Sequence, residues 1–460
     1  MSFLSRILTP QPELPAQRQL FSNRALATMI VPLMIEQLLQ MVVGIADTLM
    51  VSYAGEATVS GVSLDTMLYT IFIYLFTAVA TGGAVVVSQY LGNRDRKNAD
   101  LSASQIYLIA GVVSLACMVL ILLLGPTILN LLYPKVGPDV MSACRTYLWI
   151  VTLSFPANAL YNAGAALYRS MGRTRTTMYV SVAMNLLNVV GNAIGIFVLH
   201  AGAAGVAWPT TISWYFAAVL MTALCLNPRA QVTLRPAMAL KPDGKMIRRI
   251  LHIAIPNSIE NTLFQLAKVV LGSLIATFGT SQIAANGIGQ TLWSLAACMC
   301  VSMNTVFITV IGQCMGAGDQ EAADWYMHKL TRLSLLLAIV WNALVLALVP
   351  LILPLYNISD ETRHLVWVIV IIHNIFAAIV QPFSSPLSAG LRAAGDVKFT
   401  MWSSLFATVV CRTILSFILG LWMGMGVIGI ALAMGLDWCI KGALDIWRWR
   451  SGKWKLFKVI

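Results

Sequence analysis

The sequence predicts an all-α integral membrane protein with twelve transmembrane helices in two pseudo-symmetric six-helix bundles, both termini lying in the cytoplasm. Three observations carry that prediction: the length and number of the apolar stretches, the uneven placement of Lys and Arg between them, and an internal repeat. Asp, Glu, Lys and Arg make up only 10% of the 460 residues, against about 25% in an average soluble domain. The hydrophobic fraction is 58%, and it is gathered into runs too long for the elements of a soluble core.

A helix needs about 20 apolar residues to cross the hydrocarbon layer. The first six such stretches lie near 27–51, 62–88, 104–130, 146–168, 178–199 and 204–226. The second six lie near 252–277, 286–311, 332–355, 364–388, 400–421 and 426–447. The runs are continuous and unalternating, which points to helices and excludes the shorter, alternating strands of a membrane barrel. The opening residues carry no long apolar region ending in a small-residue cleavage site, so they read as a short polar lead into the first span.

Orientation follows from the segments between the spans. With the N-terminus inside, the outer loops carry only Lys135, Arg145 and Arg363, and two further basic residues, Lys268 and Arg412, fall within spans. The remaining 25 of the 30 Lys and Arg residues lie on the inner side, Arg332 and Lys441 towards the inner ends of their spans and the others outside them, among them Arg94, Arg96, Lys97, Arg173, Arg175, Arg248, Arg249 and the tail from Arg448 to Lys458. That bias orients a membrane protein. It also explains the net charge of +12 by lipid headgroups as neighbours, with no nucleic-acid partner. The eight cysteines are scattered through apolar runs and read as small packing residues, neither a disulfide framework nor a thiolate metal site.

The halves align on each other with an offset of 224 residues. Pro32, Glu36, Gly55, Gln89 and Gly92 match Pro256, Glu260, Gly279, Gln313 and Gly316; Ala99 and Asp100 match Ala323 and Asp324. Arg169 and Gly172 match Arg392 and Gly395 at 223, and Gly202, Gly205 and Ala207 match Gly426, Gly429 and Ala431 again at 224. The expected division is therefore an N-terminal bundle over 1–226, a polar and basic linker over 227–251, and a C-terminal bundle with its tail over 252–460. Six spans per repeat put both repeats the same way up, related by an axis along the membrane normal with the binding cavity between them. Such duplication suits alternating access better than it suits a pore.

Ionisable groups inside hydrocarbon are costly and mark functional positions. In the first span, Glu36 and Asp47 are eleven residues apart, which sets them on one helix face about 16 Å apart along the axis. A desolvated carboxylate holds a proton more readily, whereas a bound cation favours its ionised form, so such a group can alternate between the two. The fifth span carries Asn185, Asn188 and Asn192; the last two share a face and with Asp47 can line one hydrated pocket. Asparagines also stitch helices together by hydrogen bonds. The second half offers Glu260, Gln265, Lys268, His373 and Asp437 as cavity candidates. Glu260 and Lys268 are rotated by about 80° from each other and are not expected to pair. Arg412 and Asp437 suit a structural bridge between neighbouring helices. Tyr69, Trp149, Trp214, Trp293, Trp367 and Trp402 read chiefly as interface anchors.

Several segments together resemble the multidrug and toxic compound extrusion (MATE) transporters, within the superfamily that also holds polysaccharide and lipid-precursor flippases. They are VPLMIEQLLQMVVGIADTLMVSYAG at 31–55, VVVSQYLGNRD at 85–95, ALYRSMGRTRTTM at 166–178, IGQCMGAGDQEAAD at 311–324 and GLRAAGDVKF at 390–399. The resemblance implies two bundles around a V-shaped cavity in a bacterial inner-membrane protein, working as a monomer. It implies export of small amphipathic or cationic substrates by a transporter with no enzymatic activity and no cofactor, driven by protons or sodium ions. It also assigns Asp47 and Asn188 to a proton or sodium site. Where the family commonly has an aspartate four residues after that asparagine, this chain has Asn192, and where some members have a glutamate in the seventh span it has Phe264 and Gln265. A dedicated exporter of a metabolite, peptide or lipid-linked glycan is the alternative. The absence of a GxxxxGK(S/T) loop disfavours an ATP-driven pump.

Overall fold

The computed structural model describes residues 14–134, 136–356 and 358–460; Lys135, one of the three outer-loop cations, lies outside the described residues. Helices account for all the regular structure described. The first are α1 (Asn23–Ser52), α2 (Glu56–Gly92), α3 (Arg96–Leu132), α4 (Pro138–Thr152), α5 (Phe155–Ser170), α6 (Thr174–Ala193), α7 (Ala204–Cys225) and the short α8 (Pro236–Ala239). After α9 (Gly244–Ala276) come α10 (Thr280–Gly316), α11 (Gln320–Ile352), α12 (Asp360–Ile379), α13 (Gln381–Ser384) and α14 (Pro386–Ala393). The chain closes with α15 (Val397–Ser404), α16 (Arg412–Ser416) and α17 (Gly426–Arg450). Two compact units result: Val31–Ser258, and Ile259–Ile460 with the described residues of Met1–Ile30. Their borders fall inside α1 and α9, beside Pro32 and Pro256.

Ten helices among the described residues are long and apolar enough to cross a membrane, two fewer than the spans expected. The stretch expected at 146–168 is split into α4 and α5, which part at Leu153–Ser154 just ahead of Pro156. Proline has no N–H to give and its ring clashes with the preceding turn, so it starts a new helix more easily than it continues one. The stretch expected at 204–226 forms one continuous 22-residue helix, α7, with Pro209, Thr210, Thr211 and Ser213 near its start. The expected span 364–388 is interrupted in the same manner as 146–168: α12 stops at Ile379 and α13 begins ahead of Pro382.

Long helices here expose much apolar surface. Val42, Leu123, Leu131, Val219 and Val340 are each more than 60% exposed, a pattern expected where lipid tails are the solvent. Within the first unit, α2 packs on α3, α4 and α5, and α6 on α7; within the second, α10 packs on α11, α12 and α14. The tightest crossing joins the extension of α6, a π-helical turn over Ile194–Val198, to the start of α7. A Cβ on Gly205 would stand 2.6 Å from the Gly195 carbonyl oxygen. The second repeat builds the same crossing, where a Cβ on Gly429 would stand 2.6 Å from the Leu419 carbonyl carbon. Only glycine allows backbones this close.

The segments that follow each sixth span are folded down by one repeated device. Asp100 accepts from the Thr233 backbone N–H at 2.8 Å and pairs with Arg235 at 2.8 Å. Gln105 donates to the carbonyls of Met238 and Lys241 at 2.8 and 2.9 Å, while Arg96 reaches those of Pro228 and Ala230. Asp324, the counterpart of Asp100, accepts from the Trp449 indole at 2.8 Å and pairs with Lys455 at 3.1 Å, beside the fully buried Trp454. The basic tail, expected as a neighbour of lipid headgroups, is in these respects a structural strap. Arg448 pairs with Asp396 at 2.5 Å and lies over the Phe399 and Phe457 rings. Asp95 and Asp319, also in register, cap α3 and α11 by accepting from the N–H groups of Asn98 and Ala322. Hydrogen bonds from Asn98 hold the Asp95 carboxyl below the usual carboxylate range, and the Arg18 guanidinium does the same for Asp319. The stability these caps add is present above the ordinary carboxylate pKa and is lost as the pH falls through the lower folded value.

Gly205→Ala should lower the thermal unfolding midpoint in detergent, with an overpacking cost of about 1–3 kcal/mol. Gly111→Ala, in α3, where a Cβ meets nothing within 4 Å, should instead raise the midpoint slightly, since alanine gains about 0.5–1 kcal/mol over glycine inside a helix.

Candidate functional site

Polar side chains inside the first unit fall into two separate groups. Asp47, half-buried on α1, accepts from Asn192 Nδ2 at 2.9 Å. The same Asn192 amide donates to Asn188 Oδ1 at 3.2 Å, and Asn188 donates to Thr210 Oγ1 on α7 at 3.1 Å. Both asparagines are buried. Turned over, the Asn188 amide donates to the two Asp47 oxygens at 3.0 and 3.1 Å and its oxygen accepts from Thr210 at 3.1 Å. That orientation meets an ionised carboxylate with a donor. The other suits a protonated Asp47, because two acceptor oxygens then share a proton.

Glu36 belongs to the second group. It is buried and pairs with Arg169 of α5 at 2.6 Å, with Thr177 Oγ1 of α6 at 3.3 Å. The structure therefore does not bring Glu36 to Asp47, although both lie on α1. Asn185 also stands aside, donating to Ser181 at 3.3 Å. The repeat rebuilds the Glu36 pair in the other unit: Glu260 faces Arg392 at 3.6 Å and Lys441 at 3.4 Å and accepts from Ser404 at 2.6 Å. Glu260 is thus part of a structural ion-pair cluster, apart from the other cavity candidates.

Those remaining candidates gather elsewhere in the second unit. Arg412 and Asp437 form a bridge at 2.5 Å. Arg412 begins the short α16 between two π-helical stretches, Leu405–Cys411 and Phe417–Trp422. Lys268 lies 4.8 Å from the Phe264 ring centroid and 5.8 Å from that of Trp293, and the Arg412 guanidinium carbon lies 5.2 Å from Phe264. Trp293 stacks on Trp438 at 6.0 Å, so it is an interior ring here and no interface anchor. His373 is buried beside the Gly289 backbone and near Arg412. Gln265 Oε1, Trp293 Nε1 and Asp437 Oδ1 are buried with no hydrogen-bond partner among the described residues. No group of three or more His, Cys, Asp or Glu side chains able to hold a metal occurs among the described residues, and the eight cysteines are free.

Several polar residues of the interior escaped the sequence reading, Thr210, Asp65, Lys441 and Asp445 among them. Thr210 completes the Asp47 group, yet a threonine in an apolar run carries no distinguishing signal. Asp65 is different. It is fully buried on α2 and accepts from Cys144 Sγ at 3.0 Å. The rule that selected Asp47 applies to it equally.

At the 224 register the two interiors exchange their charges. Leu271 stands where the first half has Asp47, and Lys268 where the first half has Gly44. A duplicated helical frame, lipid-exposed outside and holding a few unlike polar groups inside, defines a multi-pass membrane transporter and no enzyme. The chain belongs to the MatE family, whose model matches residues 32–194 and again 256–418. The two matches stand in the same register as the repeat.

Among similar proteins is the "Uncharacterized transporter YisQ" of Bacillus subtilis, 27% identical over 434 residues and covering 92% of this chain and 93% of its own. Another is the "Probable multidrug resistance protein NorM" of Thermotoga maritima, 22% identical over 97% of this chain and 95% of its own. Of solved structures, a MOP superfamily transporter from Pyrococcus furiosus, described as having a binding pocket of reverse polarity, is similar with a TM-score of 0.86. It is 18% identical over 96% of this chain and 98% of its own. An outward-facing multidrug resistance MATE transporter is similar with a TM-score of 0.85, at 19% identity over 94% of this chain and 96% of its own. These structures share the fold.

Removing one partner of a buried pair leaves an uncompensated charge. Arg169→Ala should therefore destabilise the protein by about 3–5 kcal/mol, and adding Glu36→Gln should recover much of that loss. A double-mutant cycle on unfolding in detergent checks the coupling.

Proposed function

We propose that the protein is a secondary active antiporter of a bacterial inner membrane. It exports small amphipathic, often cationic, organic compounds in exchange for protons or sodium ions. The observation that carries this reading is Asp47, a carboxylate within a span whose hydrogen-bond partner, Asn192 at 2.9 Å, is an amide and no cation. A carboxylate so placed is free to change its proton or ion content during a transport cycle, as Glu36 in its ion pair is not. The twelve spans then form two six-helix halves over 1–226 and 252–460 joined by 227–251, and the bias of Lys and Arg sets both termini in the cytoplasm. On this reading Asp47, Asn188 and Asn192 hold the coupling ion. Binding of that ion and of cargo antagonise each other reciprocally, which is what converts a gradient into export.

The Asn192 amide favours the proton over sodium. It turns its N–H toward Asp47, whereas Asn188 presents its N–H in one amide orientation and its oxygen in the other. A cation would instead require amide oxygens to face inward. The presence of asparagine at 192 also removes a second negative charge that a sodium site would use.

Asp47→Asn is expected to assemble normally and to lose gradient-driven export. Purified protein in vesicles, challenged with a substrate panel under separate proton and sodium gradients, tests this. Wild-type export by the Asn variant would overturn the role given to Asp47. Export indifferent to both gradients would overturn antiport itself, and export that follows sodium alone would overturn the preference for protons.

A further inference from the structure

In the interior of the second unit Arg392, Lys441 and Arg412 each meet a carboxylate, and Lys268 does not. Glu260 is met by Arg392 and Lys441, and Asp437 by Arg412. Lys268, on α9 within a span, has no carboxylate partner among the described residues. What it has is rings. Its Nζ lies over Phe264 and Trp293, and the Phe264 ring also receives the Arg412 guanidinium.

The magnitudes show why this arrangement is incomplete. A cation over a ring gains about 0.5–2 kcal/mol, whereas taking an ammonium out of water costs several kcal/mol. Lys268 is exposed, whereas Arg392 and Lys441 are mostly buried. It is also turned toward a stacked tryptophan pair, Trp293 on Trp438, in an apolar cluster with Ala296, Ala377 and Met434. The local sum is two cations against one carboxylate, and that carboxylate already serves Arg412. The surrounding side chains are largely aromatic and apolar. A ligand suited to it brings a negative charge on an aromatic body.

We propose that Lys268 is the recognition point for cargo bearing a carboxylate on an aromatic ring system. The carboxylate pairs with Lys268 Nζ while the ring lies against Phe264 and Trp293. This deepens the transporter reading by naming a chemical group of the cargo, and it rests on that reading only in treating the bound molecule as cargo. Cargo with an amine elsewhere remains compatible. What Lys268 selects is the acid.

The test uses full-length protein in detergent with no ion gradient and three matched probes: 1-naphthylacetate, neutral 1-naphthylacetamide and cationic 1-naphthylmethylammonium. Titration calorimetry should show the acid binding about tenfold more tightly than the amide, as one charge-assisted contact allows, with the ammonium weakest. Lys268→Met should bring the acid down to the affinity of the amide, and Lys268→Arg should keep most of the preference. Unfolding midpoints of both variants confirm that each is folded. The proposal fails if acid and amide bind equally, if the ammonium binds best, or if no probe binds. It fails too if folded K268M keeps the preference for the acid or loses the amide along with it. Because no gradient is applied, failure of gradient-driven export leaves this result standing, and failure here leaves antiport standing.

Discussion

A charge carried into hydrocarbon has to be met there, and most of this protein's interior is organised around meeting it. Glu36 finds Arg169, Glu260 finds Arg392 and Lys441, and Asp437 finds Arg412. The demand reaches beyond the pairs themselves. Arg169 and Arg392 sit near the ends of α5 and α14, helices set up by the proline-led breaks that interrupt the fourth span of each repeat. Without those breaks, neither arginine would have its own short helix from which to reach its glutamate.

Against that background the groups left without an opposite charge stand out, Asp47 and Lys268 among them. Asp47 has amides, and Lys268 has aromatic rings. Each partial solution keeps the group in place while leaving its charge open to something else. They lie in different units and at different positions of the repeat, so duplication did not produce them as a pair. Each half keeps the structural pair of the repeat, and the unmatched charges of Asp47 and Lys268 are of opposite sign.

Much of the frame was legible in the sequence because it rests on long-range composition. The apolar runs, the register of Pro, Glu, Gln and Gly, and the bridge between Arg412 and Asp437 all needed only spacing and span order. The failures have a common physical cause. Glu36 and Asp47 share a helix, and helical spacing alone cannot show that Arg169 arrives from α5 to claim one of them. The basic tail looked like headgroup contacts because its charges are on the sequence in plain view, while the carboxylates that hold it, Asp324 and Asp396, come from distant helices. Thr210 was invisible because a hydroxyl in an apolar run becomes distinctive only once its neighbour across the helix pair is known. Asp65 was legible and was passed over.

The glycine crossing of α6 and α7 has a mechanical consequence for the Asp47 group. Asn192 stands three residues before Gly195 and Thr210 five after Gly205, so the amide and the hydroxyl are mounted on two helices whose backbones touch. Helices in such contact cannot slide past each other without first separating. The Asn192 amide and the Thr210 hydroxyl are thereby held at a fixed spacing on either side of a contact that has no room for two methyl groups.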